Sequence, residues 1–158
     1  MDGGAKRKFA VFDIDGTIAR TSLLQQMVRV LVGYGRLDIG TAQNIESLLH
    51  DSRQRIADDS FGSYMKQAVD MMFTNMPKSM SLHDYDQIIN AVVKNSISHT
   101  YVYTRQLIQT LQQKDYFLIA ISGSELRAVS TYAKELGFNA WIGQVQYLDD
   151  GKKLTGEV

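Results

Sequence analysis

Apolar residues fill every position from Phe9 to Phe12, and the run stops abruptly at Asp13-Ile14-Asp15-Gly16-Thr17. An unbroken apolar run suits a strand buried on both faces, and Gly16 lets the backbone turn sharply where it ends. The next such run, Tyr116-Phe-Leu-Ile-Ala-Ile121, ends in Ser122-Gly123-Ser124. A third short strand is expected at Ala140 to Gly143, and Tyr147 to Leu154 reads as a β-hairpin with an Asp150-Gly151 turn. Between these strands the period changes to that of a helix. Leu107, Ile108 and Leu111 form one stripe, and Leu126, Val129, Ala133 and Leu136 form another, with Gly137 placed to end it. Lys114-Asp115 closes the turn between the first of these helices and the second strand.

The first two strands are separated by roughly a hundred residues, where a βαβ crossover needs only a dozen or so. The excess reads as four amphipathic helices. Leu24, Met27, Val28 and Leu31 make the first stripe; Ile45, Leu48 and Leu49 begin the second after Thr41, read as its N-cap. Phe61, Tyr64, Met65, Ala68 and Met72 make the third after Ser60. Tyr85, Ile88, Ile89, Val92 and Val93 make the fourth, with Ser81 and Asp84 spaced as a capping box. Such helices bury their stripes against one another. The expected organisation is therefore an α/β core with a parallel sheet, from residues 1–20 and 99–158, carrying a helical cap of residues 21–98.

Met65, Met71, Met72 and Met76 recur at helical spacing and are read as core filler rather than as a flexible binding face. His50, His83 and His99 are scattered, with no pair at metal-ligand spacing. With 17 basic and 17 acidic residues the chain sets up no global field toward nucleic acid or an anionic membrane, so neither is expected as a partner. It has no cysteine, which removes disulfide and thiolate chemistry, and no apolar segment of signal length precedes Asp13. The expected compartment is the cytoplasm. Leu23 to Val32, interrupted by Gln25, Gln26 and Arg29, is too short to span a bilayer.

Asp13 and Asp15, two apart, project to one side if the extended backbone continues through Ile14, at the strand end where parallel sheets bind ligands. Asp and Gly after a strand are also ordinary turn residues. Ser122 and Gly123 end the neighbouring strand before a helix, so a hydroxyl, backbone N–H groups and a positive helix end suit an anion, phosphate above all. Either Ser122 or Ser124 could instead simply cap that helix. Taken with the two acids, the anion site gains a nucleophile and a second carboxylate, which suits phosphoryl transfer. Two carboxylates repel a phosphate, so a divalent cation is required, and oxygen ligands of this kind suit magnesium.

The string Phe12-Asp13-Ile-Asp15-Gly16-Thr17 resembles the first motif of the haloacid dehalogenase superfamily of phosphohydrolases. Tyr101-Val-Tyr-Thr-Arg105, Phe117 through Ser124, Leu136-Gly-Phe138 and Gly151 through Val158 look like successive blocks of its subfamily IB, relatives of phosphoserine phosphatase. The resemblance implies a Rossmann-like core with an inserted helical cap, and a magnesium-dependent phosphatase acting on a small phosphorylated metabolite. It implies that Asp13 is the nucleophile, forming an aspartyl-phosphate, and a magnesium ligand. Asp15 would be general acid and base, lending its backbone carbonyl to the metal. Gly16 and Thr17 would border the phosphate, and Ser122 with the Gly123 N–H would hold it. Ala19, Arg20, Thr21 and Ser22 stand where phosphoserine phosphatase has an acidic residue, so phosphoserine is not implied as substrate.

The family's third-motif lysine and fourth-motif aspartates normally lie beyond Gly156-Glu-Val158, so a fragment of a longer hydrolase is expected. The alternative is a phosphate-binding or assembly module without turnover. A dehalogenase fits less well, because Asp15 offers an acid that halide departure does not need. A phospho-accepting receiver fits less well too, because it accepts phosphate at the end of a later strand and no suitable Asp follows Trp141-Ile142. Family folds place a further strand beside the first. Without it Phe9 to Phe12 form an open apolar edge, through which self-association is expected.

Overall fold

In the computed structural model, residues 8–54, 60–77 and 80–145 are described. Their elements run β1 (Phe9–Asp13), α1 (Leu23–Gly33), α2 (Ile39–Gln54), α3 (Ser60–Asn75), α4 (Leu82–Ile97), α5 (Val102–Gln113), β2 (Phe117–Glu125), α6 (Leu126–Glu135) and β3 (Ala140–Gln144). The hairpin expected at Tyr147 to Leu154 lies outside the described residues. Residues 8–23 with Val93–Gln144 form one compact unit, and Leu24–Val92 form a second.

The first unit holds a parallel sheet in the order β1-β2-β3. Phe9 faces Phe117 and Asp13 faces Ile121; on the other side of β2, Ile119 faces Ala140 and Ile121 faces Ile142. Both connections step in the same direction, and right-handed crossovers then place α5 and α6 on one face. Phe12, Leu118 and Ala120 are buried on the face these helices cover, with Phe12 edge-on to Phe138 at 5.7 Å. No described element covers the opposite face, where Phe9 is 65% exposed, Val11 49% and Ile142 57%. The apolar run Phe9 to Phe12 is therefore buried on one face only, contrary to the expectation from its sequence. The run is apolar because of what its residues are, and which face is covered depends on where the crossovers lead.

Two helices of this unit stop in the same way. At the end of α6, Phe138 donates to the Ala133 carbonyl (3.0 Å) and Gly137 to that of Lys134 (2.9 Å), with Gly137 at φ +74°. At the end of α5, Tyr116 donates to Leu111 and Asp115 to Gln112, both at 3.1 Å, with Asp115 at φ +57°. These are paired C-terminal bonds that satisfy the last carbonyls, and they need one left-handed residue each. Gln112 Nε2 reinforces the α6 end by donating to the carbonyls of Leu136 (2.9 Å) and Gly137 (3.1 Å). Asn139 sets the register of β3 by accepting from the Leu118 amide through its side chain (2.7 Å) and donating to the Leu118 carbonyl through its backbone (2.9 Å).

The second unit buries the stripes read from the sequence: Met27, Leu31, Ile45, Met72, Ile88 and Val92 are all fully or nearly fully buried. Met72 and Met76 are core filler as expected, and Met80 joins them, whereas Met65 and Met71 are only half-buried. The start of α2 differs from expectation. Asp38, not Thr41, is the N-cap: its carboxylate accepts from the Thr41 amide (2.9 Å) and the Thr41 hydroxyl (2.5 Å). Asp and Thr are both good caps, and the one three residues before the other takes the role because the helix starts at Ile39. Ser81 accepts from the Asp84 amide at 3.1 Å and caps α4. The histidines are exposed and locally bonded, His83 to Gln87 at 3.0 Å and His99 to the Asn95 carbonyl at 2.8 Å.

Two stability effects follow. Gly137→Ala forces a side chain into a left-handed position, with its Cβ 2.6 Å from Gln112 Nε2; denaturant titration should show a loss of about 1 to 2 kcal/mol. Asp115→Gly at the equivalent position of α5 should leave stability within about 1 kcal/mol of the parent. Equal losses in both would contradict this account of the helix ends. The Thr41 hydroxyl and then its amide hold the Asp38 carboxyl below its ordinary value of 3.8. The cap's contribution is therefore present above that value and lost as pH falls through the lowered one. Asp38→Asn should flatten this acid limb of the stability curve, and an unchanged limb would count against it.

Candidate active site

The loop after β1 is fixed by its own backbone. The Ile14 carbonyl accepts from the amides of Ile18 (3.0 Å) and Ala19 (2.9 Å), and the Gly16 amide donates to the Ala19 carbonyl at 2.9 Å. Gly16 sits at φ +82°, a left-handed conformation that makes the sharp turn expected of it. Ile14, Ile18 and Ala19 are completely buried, so the loop is anchored by its apolar residues while Asp13, Gly16 and Thr17 stay exposed. Ala19 also bridges to Thr100, where the chain returns from the inserted helices. Just beneath, the Thr100 and Tyr132 hydroxyls bond at 2.9 Å. Burial pushes the Tyr132 phenol up, so this tie stays neutral.

Asp13 ends β1, and its Oδ2 accepts the Thr17 hydroxyl at 2.7 Å. Thr17 is held in turn, because the buried Thr104 hydroxyl donates to its carbonyl at 3.0 Å. Thr104 lies in the Tyr101–Arg105 block, but its pairing with Thr17 carries no local signal, since it spans 87 positions.

Asp15 is half-buried and fully engaged. Oδ1 accepts the Leu23 amide at 2.6 Å, at the first residue of α1. Oδ2 accepts two hydroxyls, Ser122 at 2.5 Å and Ser124 at 2.9 Å. The structure thus brings Asp15 and Ser122 into direct contact across 107 positions of sequence. Asp13 and Asp15 have no partner in common among these bonds.

The segment after Ile121 differs from expectation in three ways. The strand does not end at Ile121 but runs to Glu125, with its register shifted: Ile121 faces Ile142 and Glu125 faces Gln144. Four steps along β2 therefore match two along β3, a bulge of the kind that re-aims side chains beside sites. Neither Ser122 nor Ser124 caps α6. That role falls to the buried Glu125, whose carboxylate accepts from the Ala128 amide at 3.0 Å. A carboxylate thus already occupies the positive helix end, which removes it as the anion seat expected there. Glu at N-cap is unusual, which is why the sequence pointed to the serines.

Ser122 is buried; it donates to Asp15 and accepts the Ser124 amide at 2.9 Å, so the hydroxyl expected to meet an anion is already engaged within the chain. Gly123 is exposed, and a Cβ there would meet nothing within 4 Å, so packing does not account for the glycine. Gly143 on β3 is the reverse case. A Cβ there would lie 2.8 Å from Leu126 Cα and 3.1 Å from the Ser124 carbonyl, so its absence lets the bulge close.

The donors fit a hard divalent cation in kind. Asp13 and Asp15 supply oxygen, and magnesium is commonly held by one or two carboxylates with water and phosphate oxygens completing the shell. Among the described residues no group of three or more acidic, histidine or cysteine side chains gathers at one point. No helix among them is long and apolar enough to cross a membrane.

Known proteins share this fold. A structure of a phospho-aspartyl intermediate analogue of phosphoserine phosphatase superposes with a TM-score of 0.61 at 18% identity, covering 97% of this chain and 63% of that one. A protein of unknown function from Bordetella pertussis Tohama I gives 0.74 at 17%, covering 97% and 66%. Cytosolic 5'-nucleotidase IIIB bound to cytidine gives 0.61 at 17%, covering 94% and 53%. At such identities the likeness is one of fold, and the chain spans between 53% and 66% of the length of these proteins. No curated protein matches the chain. The model of the haloacid dehalogenase-like hydrolases matches residues 10–158, and the chain belongs to that family.

Proposed function

We propose that the chain carries the catalytic core of a magnesium-dependent phosphomonoester hydrolase that works through an aspartyl-phosphate on a small phosphorylated metabolite. The observation that carries this reading is the junction of Asp15 with Ser122, which joins the acid loop of β1 to the polar bulge of β2 at the ligand-binding end of a parallel sheet. In this reading an Asp13 carboxylate oxygen attacks phosphorus, with Thr17 orienting the carboxylate through its 2.7 Å bond. The bond from phosphorus to the leaving oxygen breaks, and Asp15 supplies the proton that oxygen takes up. Water then attacks the aspartyl-phosphate, Asp15 accepts its proton, and phosphate is released. Gly16 and Thr17 border the phosphoryl group, and Ser122 with the Gly123 N–H holds its oxygens. Magnesium, held by the Asp13 carboxylate and the Asp15 carbonyl, would offset the charge that two carboxylates present to a phosphate. Residues 21–98 serve as the cap that sets substrate choice.

One observation favours a second reading, a phosphate-binding or assembly module without turnover: at rest Asp15 and Ser122 are bonded to each other and to the chain. Beryllium fluoride with magnesium, followed by fluorine NMR, separates the two. Stoichiometric labelling that disappears in Asp13→Asn, together with phosphate release from a phosphoester panel that falls by at least about a thousandfold, is the expected result. Phosphate release unchanged in Asp13→Asn would sink the proposal.

We also propose that copies of the chain associate through β1. Among the described residues β1 is an edge strand, and Phe9, Val11, Ile121 and Ile142 expose a continuous apolar face beside it. Sedimentation velocity should show mass rising with concentration, and Val11→Lys, which places a charge on the exposed face, should return the chain toward monomer. A concentration-independent monomer would refute this.

A further inference from the structure

Asp15 Oδ2 holds two serine hydroxyls where one would tether it, and the two differ in what else they do. Ser122 Oγ donates to Asp15 and accepts the Ser124 amide, whereas Ser124 Oγ donates to Asp15 at 2.9 Å. A serine hydroxyl has a single hydrogen. Ser122 therefore cannot bind Asp15 and a phosphoryl oxygen at once. If Ser122 is to hold a phosphoryl group, its hydrogen must leave Asp15 first.

We infer that Ser124 is a positioning residue that keeps hold of Asp15 while Ser122 turns its hydroxyl hydrogen to a bound phosphoryl group. The inference rests on the reading of Ser122 as a phosphoryl ligand. It draws on three features of the bulge. The two extra residues of β2 bring positions 122 and 124 to the same carboxylate oxygen, although the strand between Ile121 and Glu125 would otherwise continue in register. Gly143 leaves room for the Ser124 backbone, because a Cβ there would lie 3.1 Å from its carbonyl oxygen. Glu125 occupies the α6 terminus, so the helix end does not compete for the incoming anion, and the hydroxyl of Ser122 with the exposed Gly123 amide is left to meet it. After the exchange Asp15 still accepts the Leu23 amide on Oδ1 and the Ser124 hydroxyl on Oδ2. Its carboxylate thus stays aimed while its neighbour changes partner.

Without Ser124 the exchange would strip Oδ2 of its last hydroxyl donor, and the anion would bind against that loss. The test is inorganic phosphate titrated calorimetrically into the full chain with magnesium present, for the parent and for Ser122→Ala, Ser124→Ala and Ser124→Thr. Ser124→Ala should weaken phosphate by on the order of tenfold, the effect of one hydrogen bond to a charged group. Ser124→Thr keeps the hydroxyl and should stay within about threefold of the parent. Ser122→Ala should weaken phosphate at least as much as Ser124→Ala. Parent affinity in Ser124→Ala, with Ser122→Ala weakened, overturns the inference and leaves the reading of Ser122 intact. Equal weakening in Ser124→Ala and Ser124→Thr also overturns it, because packing rather than the hydroxyl would then be at work. Phosphate binding indifferent to Ser122→Ala overturns the reading of Ser122 itself, and the inference with it.

Discussion

The carboxylate of Asp15 is the constraint on which the candidate site depends. It ties the loop after β1, the first turn of α1 and the bulge of β2 through the Leu23 amide and the Ser122 and Ser124 hydroxyls. A half-buried carboxyl group needs such partners, because a polar group removed from water without them is strongly disfavoured. The same need makes the junction specific: three donors from two other segments converge on one side chain only when the sheet register is right. The backbone bonds around the Ile14 carbonyl then hold the loop at its other end.

Glycine and bulge geometry do for the backbone what Asp15 does for the side chains. Gly16 supplies the left-handed turn between the acids and the buried Ile18, and Gly143 supplies the clearance that Ser124 and Leu126 require. Neither glycine carries chemistry of its own. Gly16 permits a backbone conformation that a side chain would strain, Gly143 permits an approach that a Cβ would prevent, and the functional side chains inherit their positions from both.

Much of this was legible in the amino-acid sequence. The stripes of Met27, Leu31, Ile45 and Ile88 are buried as their spacing implies, and Gly137 ends α6 where its position suggests, because helix period and C-terminal glycine are local signals. The two acids after an apolar strand pointed to the site for the same reason. What escaped the sequence was non-local. The open face that exposes Phe9 and Val11 follows from the direction of two crossovers, and the Thr104 bond to Thr17 links positions far apart. The extension of β2 to Glu125 depends on a register set by β3, and the caps at Asp38 and Glu125 lost to serine and threonine in a propensity argument that sees only residue type.

The bridge of Ala19 to Thr100 closes the two ends of the inserted helices at one doorway, with the Arg20 amide donating to His99 and the Tyr101 amide to Ile18 on either side. Pairing β1 with β2 across roughly a hundred residues, instead of a dozen, spans about three doublings of loop length and so adds about 2 kcal/mol of closure entropy. That penalty is logarithmic, so once the doorway is clamped a further ten residues would be almost invisible to the sheet. The chemistry at the ends of β1 and β2 is thereby insulated from the length of what passes through the doorway. As far as closure entropy is concerned, the inserted helices can lengthen or shorten at little cost to the sheet.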